Sequence, residues 1–206
     1  MEPSCGDGQF ISSLFNNFYN CEIENINIDL FDIDKKELDK AIKCVPISDR
    51  IRLNFNNQDY LQSFLKEKKF YSLIIGNPPY IKRRNLQELQ IESCDGVHQI
   101  FKDSNFLIKS NGKVNNIWIS FVEAAIMSLN TTGILCFVIP SEILQVKYAK
   151  ELRALIIEKF DRVEVYAFNE LIFEGIQQDV VALIGIKGIE NRNEHGLSFY
   201  QVEVLN

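Results

Sequence analysis

Tyr71-Ser72-Leu73-Ile74-Ile75-Gly76-Asn77-Pro78-Pro79-Tyr80 sets the reading of the chain. Its apolar first half predicts a buried strand, and the prolines end it because they offer no ladder donor. An amide, two imino rings and an aromatic ring then sit at the carboxyl end of a strand. In open α/β sheets that edge is where ligands bind. The Asn77 side-chain carbonyl is an acceptor, and Pro78 and Pro79 fix φ and lack N–H. The Asn77 oxygen and the Pro78 carbonyl can together grip an –NH2 group, while Tyr80 can stack on the flat ring that bears it. A ring-conjugated amine is a poor nucleophile. Two preorganised acceptors favour a tetrahedral nitrogen with an available lone pair. The plainer alternative is a strand followed by a Pro-rich turn.

Upstream, Met1-Glu2-Pro3-Ser4-Cys5-Gly6-Asp7-Gly8-Gln9-Phe10 is a turn feeding a helix, which continues through Ile11, Leu14, Phe15 and Phe18. Glycines permit close backbone approach, and helix N-terminal amides favour a carboxylate or phosphate. Ile26 to Phe31 predicts a second strand, with Asp32 at its end and a helix from Lys35 to Cys44 whose Leu38, Ala41 and Ile42 point inward. An acid in that place, about twenty residues beyond a glycine loop, is the usual ribose partner in nucleotide-binding α/β folds. Asp32 or Asp34 can equally cap the following helix. Ile51 to Phe55 predicts a third strand, and Asp59 after it can accept from an exocyclic amine or cap the helix of Leu61, Phe64 and Leu65.

Downstream, residues 81–114 are polar and poorly periodic, which predicts a substrate-facing loop with one short helix near Ile100 to Leu107. Lys82-Arg83-Arg84 lies beside the proposed site and suits phosphate contact, although such triplets often serve only as solvated surface. Asn116 to Leu129 predicts an amphipathic helix with Trp118 in the core or at its rim. Gly133 to Ile139 predicts a buried parallel strand, and Ser141 a cap for a helix running to about Lys159. Val163 to Phe168 and Asp179 to Ile186 read as strands. Phe173, in the loop between them, can stack on a base or plug the sheet end. Beyond Gly188 the chain turns polar and then offers one amphipathic strand, Leu197 to Leu205. Strands and helices alternate, so a doubly wound sheet is expected, with the Gly loop, Asp32, Asp59 and Asn77 at one carboxyl edge.

The chain has 206 residues, 46% hydrophobic and 24% charged, enough for one α/β domain with a sizeable core. A net charge of −6 argues against a dedicated nucleic-acid-binding module with a strongly basic face. It leaves room for an enzyme that meets nucleic acid through a local patch. The five cysteines form no CxxC pair, which points to a reducing cytosol without disulfides or a metal site. No apolar run spans a bilayer, so no membrane role and a cytoplasmic location are expected.

Taken together, Glu2 to Phe10, Asn77-Pro78-Pro79-Tyr80 and Glu170 to Ile186 resemble the N6-adenine DNA methyltransferases of the Taq methylase and Eco57I-type restriction-modification branch. The resemblance spans about residues 1–188. It implies a Rossmann-like class I fold with a mostly parallel sheet and an antiparallel last strand. It implies S-adenosyl-L-methionine as cofactor, a flipped adenine in double-stranded DNA as acceptor, and direct methyl transfer. By that resemblance Glu2, Pro3, Ser4, Cys5, Gly6, Asp7, Gly8 and Phe10 form the cofactor motif that holds the methionine part. Asp32 binds the ribose, Ile33 packs on the cofactor adenine, and Asp59 with Tyr60 meets its amine. Asn77 and Pro78 activate the target nitrogen, with Pro79 in the same catalytic motif, and Tyr80 and Phe173 sandwich the base; the position of Lys82, Arg83 and Arg84 beside this site makes them the expected DNA contacts.

The family carries a helix and most of the first strand ahead of the Glu-Pro motif, and a target-recognition domain at the far end. The expectation is therefore a catalytic core over 1–188 with a truncated first strand, and 189–206 as linker and start of a further domain. Such a piece is expected to have impaired activity, and a separate specificity chain or restriction endonuclease is an expected partner. Two alternatives stay open: an RNA or protein-glutamine methyltransferase using the same motif, and a non-catalytic module of a split enzyme.

Overall fold

The computed structural model describes residues 1–18, 25–44, 50–103, 114–168 and 179–203. Its elements in order are α1 (Gln9–Phe18), β1 (Ile26–Phe31), α2 (Lys35–Cys44), β2 (Ile51–Asn56), α3 (Tyr60–Lys66) and β3 (Tyr71–Gly76). Then follow α4 (Glu88–Asp103), α5 (Ile117–Ser128), β4 (Leu129–Pro140), α6 (Lys150–Lys159), β5 (Arg162–Phe168), β6 (Val180–Ile186) and β7 (Gly196–Val202). Five strands pair in the order β3-β4-β6-β5-β7, and β1 pairs with β2 beside them. The pairing is parallel except at β6, which runs antiparallel to β4 and β5.

Between β1 and β3, the pairing among the described residues is made by Met1 and Glu2 alone. The Glu2 amide donates to the Asp29 carbonyl at 3.0 Å and the Phe31 amide to the Glu2 carbonyl at 3.0 Å. On the other side the Met1 amino group donates to the Leu73 carbonyl at 2.8 Å, and the Ile75 amide to the Met1 carbonyl at 3.0 Å. Two residues thus join the β1-β2 pair to the larger sheet, in the parallel sense.

Apolar runs form these strands because both faces are covered. Leu30 packs with Ile11 and Phe15 of α1 and Leu38 and Ala41 of α2, while its neighbour Phe31 packs on the opposite side with Tyr60 and Leu61 of α3 and Trp118 of α5. Successive residues of one strand feed opposite layers, as the pleat requires.

Several expectations are corrected. Residues 81–114 are not one long loop with a helix near 100: a short 3-10 turn over Arg83–Asn85 precedes the sixteen-residue α4, and residues 104–113 lie outside the described residues. The cause is tertiary. Cys94, Val97 and Phe101 make a buried stripe at helical spacing, and Gly96, which reads as a breaker, sits where an added Cβ would meet Leu65 at 3.1 Å. The α5 helix is not amphipathic, since every residue from Ile117 to Ser128 is buried. Ile42 of α2 faces outward, 45% exposed. Ser141 does not cap a helix: its amide donates to the Asp179 carbonyl at 2.9 Å, and two 3-10 turns precede α6. The strand read beyond Gly188 is present as β7, which lies parallel on β5.

Candidate functional site

The site is built where Met1–Glu2 ends. Residues 3–8 turn out of the sheet and feed α1. The Cys5 amide donates to the Phe31 carbonyl at 2.9 Å and the Gly8 amide to the Cys5 carbonyl at 2.9 Å, pinning the loop to the end of β1. Gly8 has φ +86, and a Cβ there would lie 2.9 Å from the Cα of Ala41, so only glycine lets α1 start against α2. At the end of β3, Gly76 has φ +156, and a Cβ would meet Glu2 Cγ and Pro3 Cδ at 3.4 Å.

Asp32 ties two loops together. Its Oδ2 accepts from the Gly6 amide at 2.8 Å and its Oδ1 from the Asp34 amide at 2.8 Å. Asn57 holds the same corner, donating to the Asp32 carbonyl at 3.0 Å and the Ile33 carbonyl at 3.2 Å. Asp59 caps α3 by accepting from the Leu61 amide at 2.8 Å. Burial pushes its carboxyl up, against the pull of the Leu61 and Gln62 amides. Ser4 Oγ donates to the Asn77 main-chain carbonyl at 3.1 Å, linking the glycine loop directly to the Asn-Pro-Pro-Tyr turn.

These corners enclose one cavity of about 270 Å³. Pro3, Ser4, Gly6, Asp32, Ile33, Asp59, Tyr60, Asn77 and Pro79 line it, with Gln58, Ile81, Gln90, Ile117 and Phe121. Nine sequence-selected residues therefore share one space, and both carboxylates face it beside an apolar wall. Tyr60 contributes its ring only. Its hydroxyl is buried and donates to Ser128 Oγ at 3.1 Å, and its ring packs against Phe31 and Phe121. Gln58 and Gln90 carried no sequence signal. Ile117 and Phe121 had one, their i,i+4 spacing on the helix that fronts the sheet.

Other selected residues lie around the cavity and not in its wall. Cys5 is buried, and its thiol is pushed up to about 12, mainly by burial. Asp7, Gly8 and Phe10 belong to the loop and the first turn of α1, and Pro78 is buried. Tyr80 is half-buried. Its hydroxyl reaches both the Asn77 Oδ1 and the Val138 carbonyl, the latter at 2.9 Å, and burial pushes the phenol up. The Asn77 acceptor is thus engaged from within its own motif. Phe173 lies outside the described residues. Lys82 and Arg84 are exposed, whereas Arg83 forks onto Asp95 at 2.6 and 2.7 Å.

Glu2 stands apart. Among the described residues neither of its buried carboxylate oxygens has a hydrogen-bond partner, 1% of the residue is exposed, and burial pushes its carboxyl up to about 8. Glu2 is not in the cavity wall, which its neighbour Pro3 lines, and a buried carboxyl left without a partner is costly unless a donor reaches it. Among the described residues no cluster of His, Cys, Asp and Glu could hold a metal ion, and no helix is long and apolar enough to cross a membrane.

The sequence profile of the Eco57I restriction-modification methylase family matches residues 11–173. The Type II methyltransferase M.HincII of Haemophilus influenzae is 29% identical over 196 residues, 94% of this chain and 34% of that protein. The chain spans about a third of the length of the curated relatives it matches first. Among solved structures, a class I S-adenosylmethionine-dependent methyltransferase of Listeria monocytogenes superposes with a TM-score of 0.70 at 12% identity, over 98% of this chain and 57% of that one. The DrdV–DNA complex gives 0.70 at 15% identity, over 98% and 24%. At these identities the structural likeness establishes the fold.

Proposed function

The chain belongs to the Eco57I restriction-modification methylase family, and from that premise we propose that it carries the methyl-transfer site of a DNA methyltransferase acting on the N6 amine of adenine. S-adenosyl-L-methionine is the cofactor of this fold and family. One observation carries the proposal. The glycine loop, Asp32, Asp59, Asn77 and Pro79 line a single cavity at the carboxyl ends of adjacent strands.

The residues fit such a cofactor. A nucleoside presents hydroxyl and amine donors, and the cavity offers two carboxylates beside the apolar Ile33, Ile117 and Phe121. An ammonium group would satisfy the orphaned oxygens of Glu2. When bound, the cofactor supplies an electrophilic methyl group on a positively charged sulfur. Asp32 would hold the ribose and Asp59 the exocyclic amine, while Ile33, 64% exposed at the cavity mouth, would cover the ring. Glu2 and the loop from Pro3 to Gly8, followed by Phe10, would hold the amino-acid end.

On the acceptor side, Asn77 Oδ1 and the Pro78 carbonyl would take the two hydrogens of the adenine amine and aim its lone pair at the methyl carbon. These two oxygens would stabilise the positive charge that develops on the nitrogen as its bond to the methyl carbon forms and the methyl–sulfur bond breaks, the sulfur leaving as a neutral thioether and the surplus proton of the nitrogen passing to solvent. Tyr80 would first have to share Asn77 with the base, and its Val138 contact gives its hydroxyl somewhere to stay. Tyr80 and Phe173 would bracket the extruded ring. Lys82 and Arg84 would contact backbone phosphates, with Arg83 held back by Asp95. The methyl-transfer core is assigned to 1–188, and target choice to a recognition domain or a separate specificity chain working with an endonuclease.

Calorimetry with S-adenosylmethionine, combined with transfer of a tritiated methyl group to duplex DNA, RNA and protein in parallel, tests the proposal. The expected result is saturable cofactor binding and label recovered as N6-methyladenine from DNA. Absence of binding overturns the site, and label in RNA or glutamine but not DNA overturns the acceptor.

A further inference from the structure

The α4 helix carries an apolar stripe that begins with a polar side chain. Cys94, Val97 and Phe101 are buried along one face of the helix. Gln90 lies one turn before Cys94 on that same face. Helical spacing would put a hydrophobe there. The position holds a half-buried carboxamide, which lines the cavity together with Asp59, Ile117 and Phe121.

This carboxamide is already oriented. Its Oε1 accepts from the Gln87 main-chain amide at 3.0 Å, and the Gln87 carbonyl accepts from the Ile91 amide at 3.0 Å. Gln90 thus closes the amino end of α4 as the third residue of a capping box does. Because the Gln87 N–H needs an acceptor, it settles which end of the carboxamide is oxygen. The NH2 end keeps its donors, with no acceptor among the described residues. A glutamate would cap α4 as well or better, since acids suit a helix N-terminus. What glutamine adds to the cap is the NH2 group.

Donors are scarce in this wall. Asp32 and Asp59 only accept when ionised. Ser4 donates to the Asn77 carbonyl, the Tyr60 hydroxyl to Ser128, and Gln58 to Ser63 at 3.4 Å. The purine of a nucleoside presents an exocyclic amine, which donates, and ring nitrogens, which only accept. A carboxylate suits the first and not the second. The Cys94 thiol shows which way α4 faces: it is pushed up to about 11, mainly by burial and further by the Asp59 charge. The stripe that begins at Gln90 is therefore turned toward Asp59.

We propose that Gln90 is a further cofactor-contacting residue, whose Nε2 donates a hydrogen bond to a ring nitrogen of the purine of S-adenosyl-L-methionine while Asp59 accepts from the exocyclic amine. The inference rests on the placement of that purine beside Asp59 proposed above. The cap holds the carboxamide before the cofactor arrives, so little side-chain freedom is lost when the bond forms.

Calorimetry on the whole chain tests it with S-adenosylhomocysteine, the stable product, and with analogues in which purine N1, N3 or N7 is replaced by C–H. The wild type should bind one analogue about tenfold more weakly than the parent, the effect of one lost hydrogen bond. Gln90→Ala should bind the parent about tenfold more weakly and no longer distinguish that analogue. Gln90→Glu keeps the cap, so its Tm should hold while its affinity falls by about tenfold or more. If both variants bind the parent as tightly as the wild type, Gln90 only caps the helix and the proposal fails. It also fails if wild type and Gln90→Ala lose the same factor with every analogue. Variants that bind cofactor normally and raise only the KM for DNA place the amide on the acceptor side and overturn it too. A wild type that does not bind the parent overturns the cofactor site itself, and the Gln90 contact with it.

Discussion

The gap between β1 and β3 has two ends, and they obey different rules. At the carboxyl end the chain leaves the sheet in short loops whose polar groups are paired: Gly6 and Asp34 on Asp32, Leu61 on Asp59, Ser4 on Asn77. At the amino end the same two strands present backbone edges and apolar side chains around an open slot. Glu2 sits between the two regimes, buried like the slot and ionisable like the cavity. A parallel sheet creates this asymmetry, because all its carboxyl ends emerge together and loop amides converge there. Changes at one end should therefore alter chemistry, and changes at the other should alter stability.

The largest test of that separation is Asn77→Ala. Removing one preorganised acceptor should lower methyl transfer by about 10²–10³-fold, judged by the loss of a single oxyanion-type donor elsewhere. Cofactor affinity by calorimetry should stay within about twofold, since half a kcal/mol is all that a change outside the cofactor's contacts should shift. Thermal stability should hardly move, because Tyr80 keeps the Val138 carbonyl. A parallel fall in Tm would show that Asn77 belongs to the packing and not to the chemistry. Next in size is Gly8→Ala. The added Cβ would meet Ala41 at 2.9 Å in a backbone region that alanine avoids, and should cost about 2–3 kcal/mol by urea unfolding. A neutral result would mean that α1 is free to move off α2, and that the loop at the carboxyl end is not fixed by packing.

Which parts of this were legible beforehand follows from the physics. The bounds of α2 and the positions of β1, β2 and β3 were readable because local periodicity and both-face burial agree there. The α4 helix was not, because Asp95 and Gly96 look like a break until Leu65 fills the space above Gly96. The α5 helix misled because Ser120 and Glu123 signal an exposed face, yet Glu123 is buried against His98 at 2.7 Å. At the site, the identities of Asp32, Asp59 and Asn77 announced themselves at strand ends. Their wiring did not. No local pattern says that Tyr80 turns its hydroxyl onto Asn77, that Asn57 braces the Asp32 corner, or that the Glu2 carboxylate oxygens have no hydrogen-bond partner among the described residues.

Glu2 gives a pH test of the boundary between the two ends. Its carboxyl is raised in the fold from 4.5 to about 8, so the native state holds a proton that the unfolded chain has released. Its contribution to stability is fully present below 4.5 and is lost as pH climbs through about 8. Glu2→Gln should remove this fall, so that the Tm of the variant declines less between pH 6 and 8 than that of the wild type, a difference of a few degrees by scanning calorimetry. Identical pH profiles for the two proteins would place Glu2 in contact with water, and with it the end of the slot.

The smallest expected effect concerns the rim of the carboxyl end. Arg83 and Asp95 form a two-pronged pair, but Asp95 is 49% exposed and the arginine 20%. Pairs so open to solvent contribute about 0–1 kcal/mol. Arg83→Ala should therefore shift stability by less than about 1 kcal/mol. It should also leave the salt dependence of DNA binding nearly unchanged, because this guanidinium is already neutralised. Lys82→Ala and Arg84→Ala should each reduce the slope of log K against log salt by about 0.9, the effect of one phosphate contact. If Arg83→Ala lowers the slope as much as its two neighbours do, the arginine leaves Asp95 for phosphate when DNA arrives. The carboxyl end would then rearrange on binding and not act as a preformed wall.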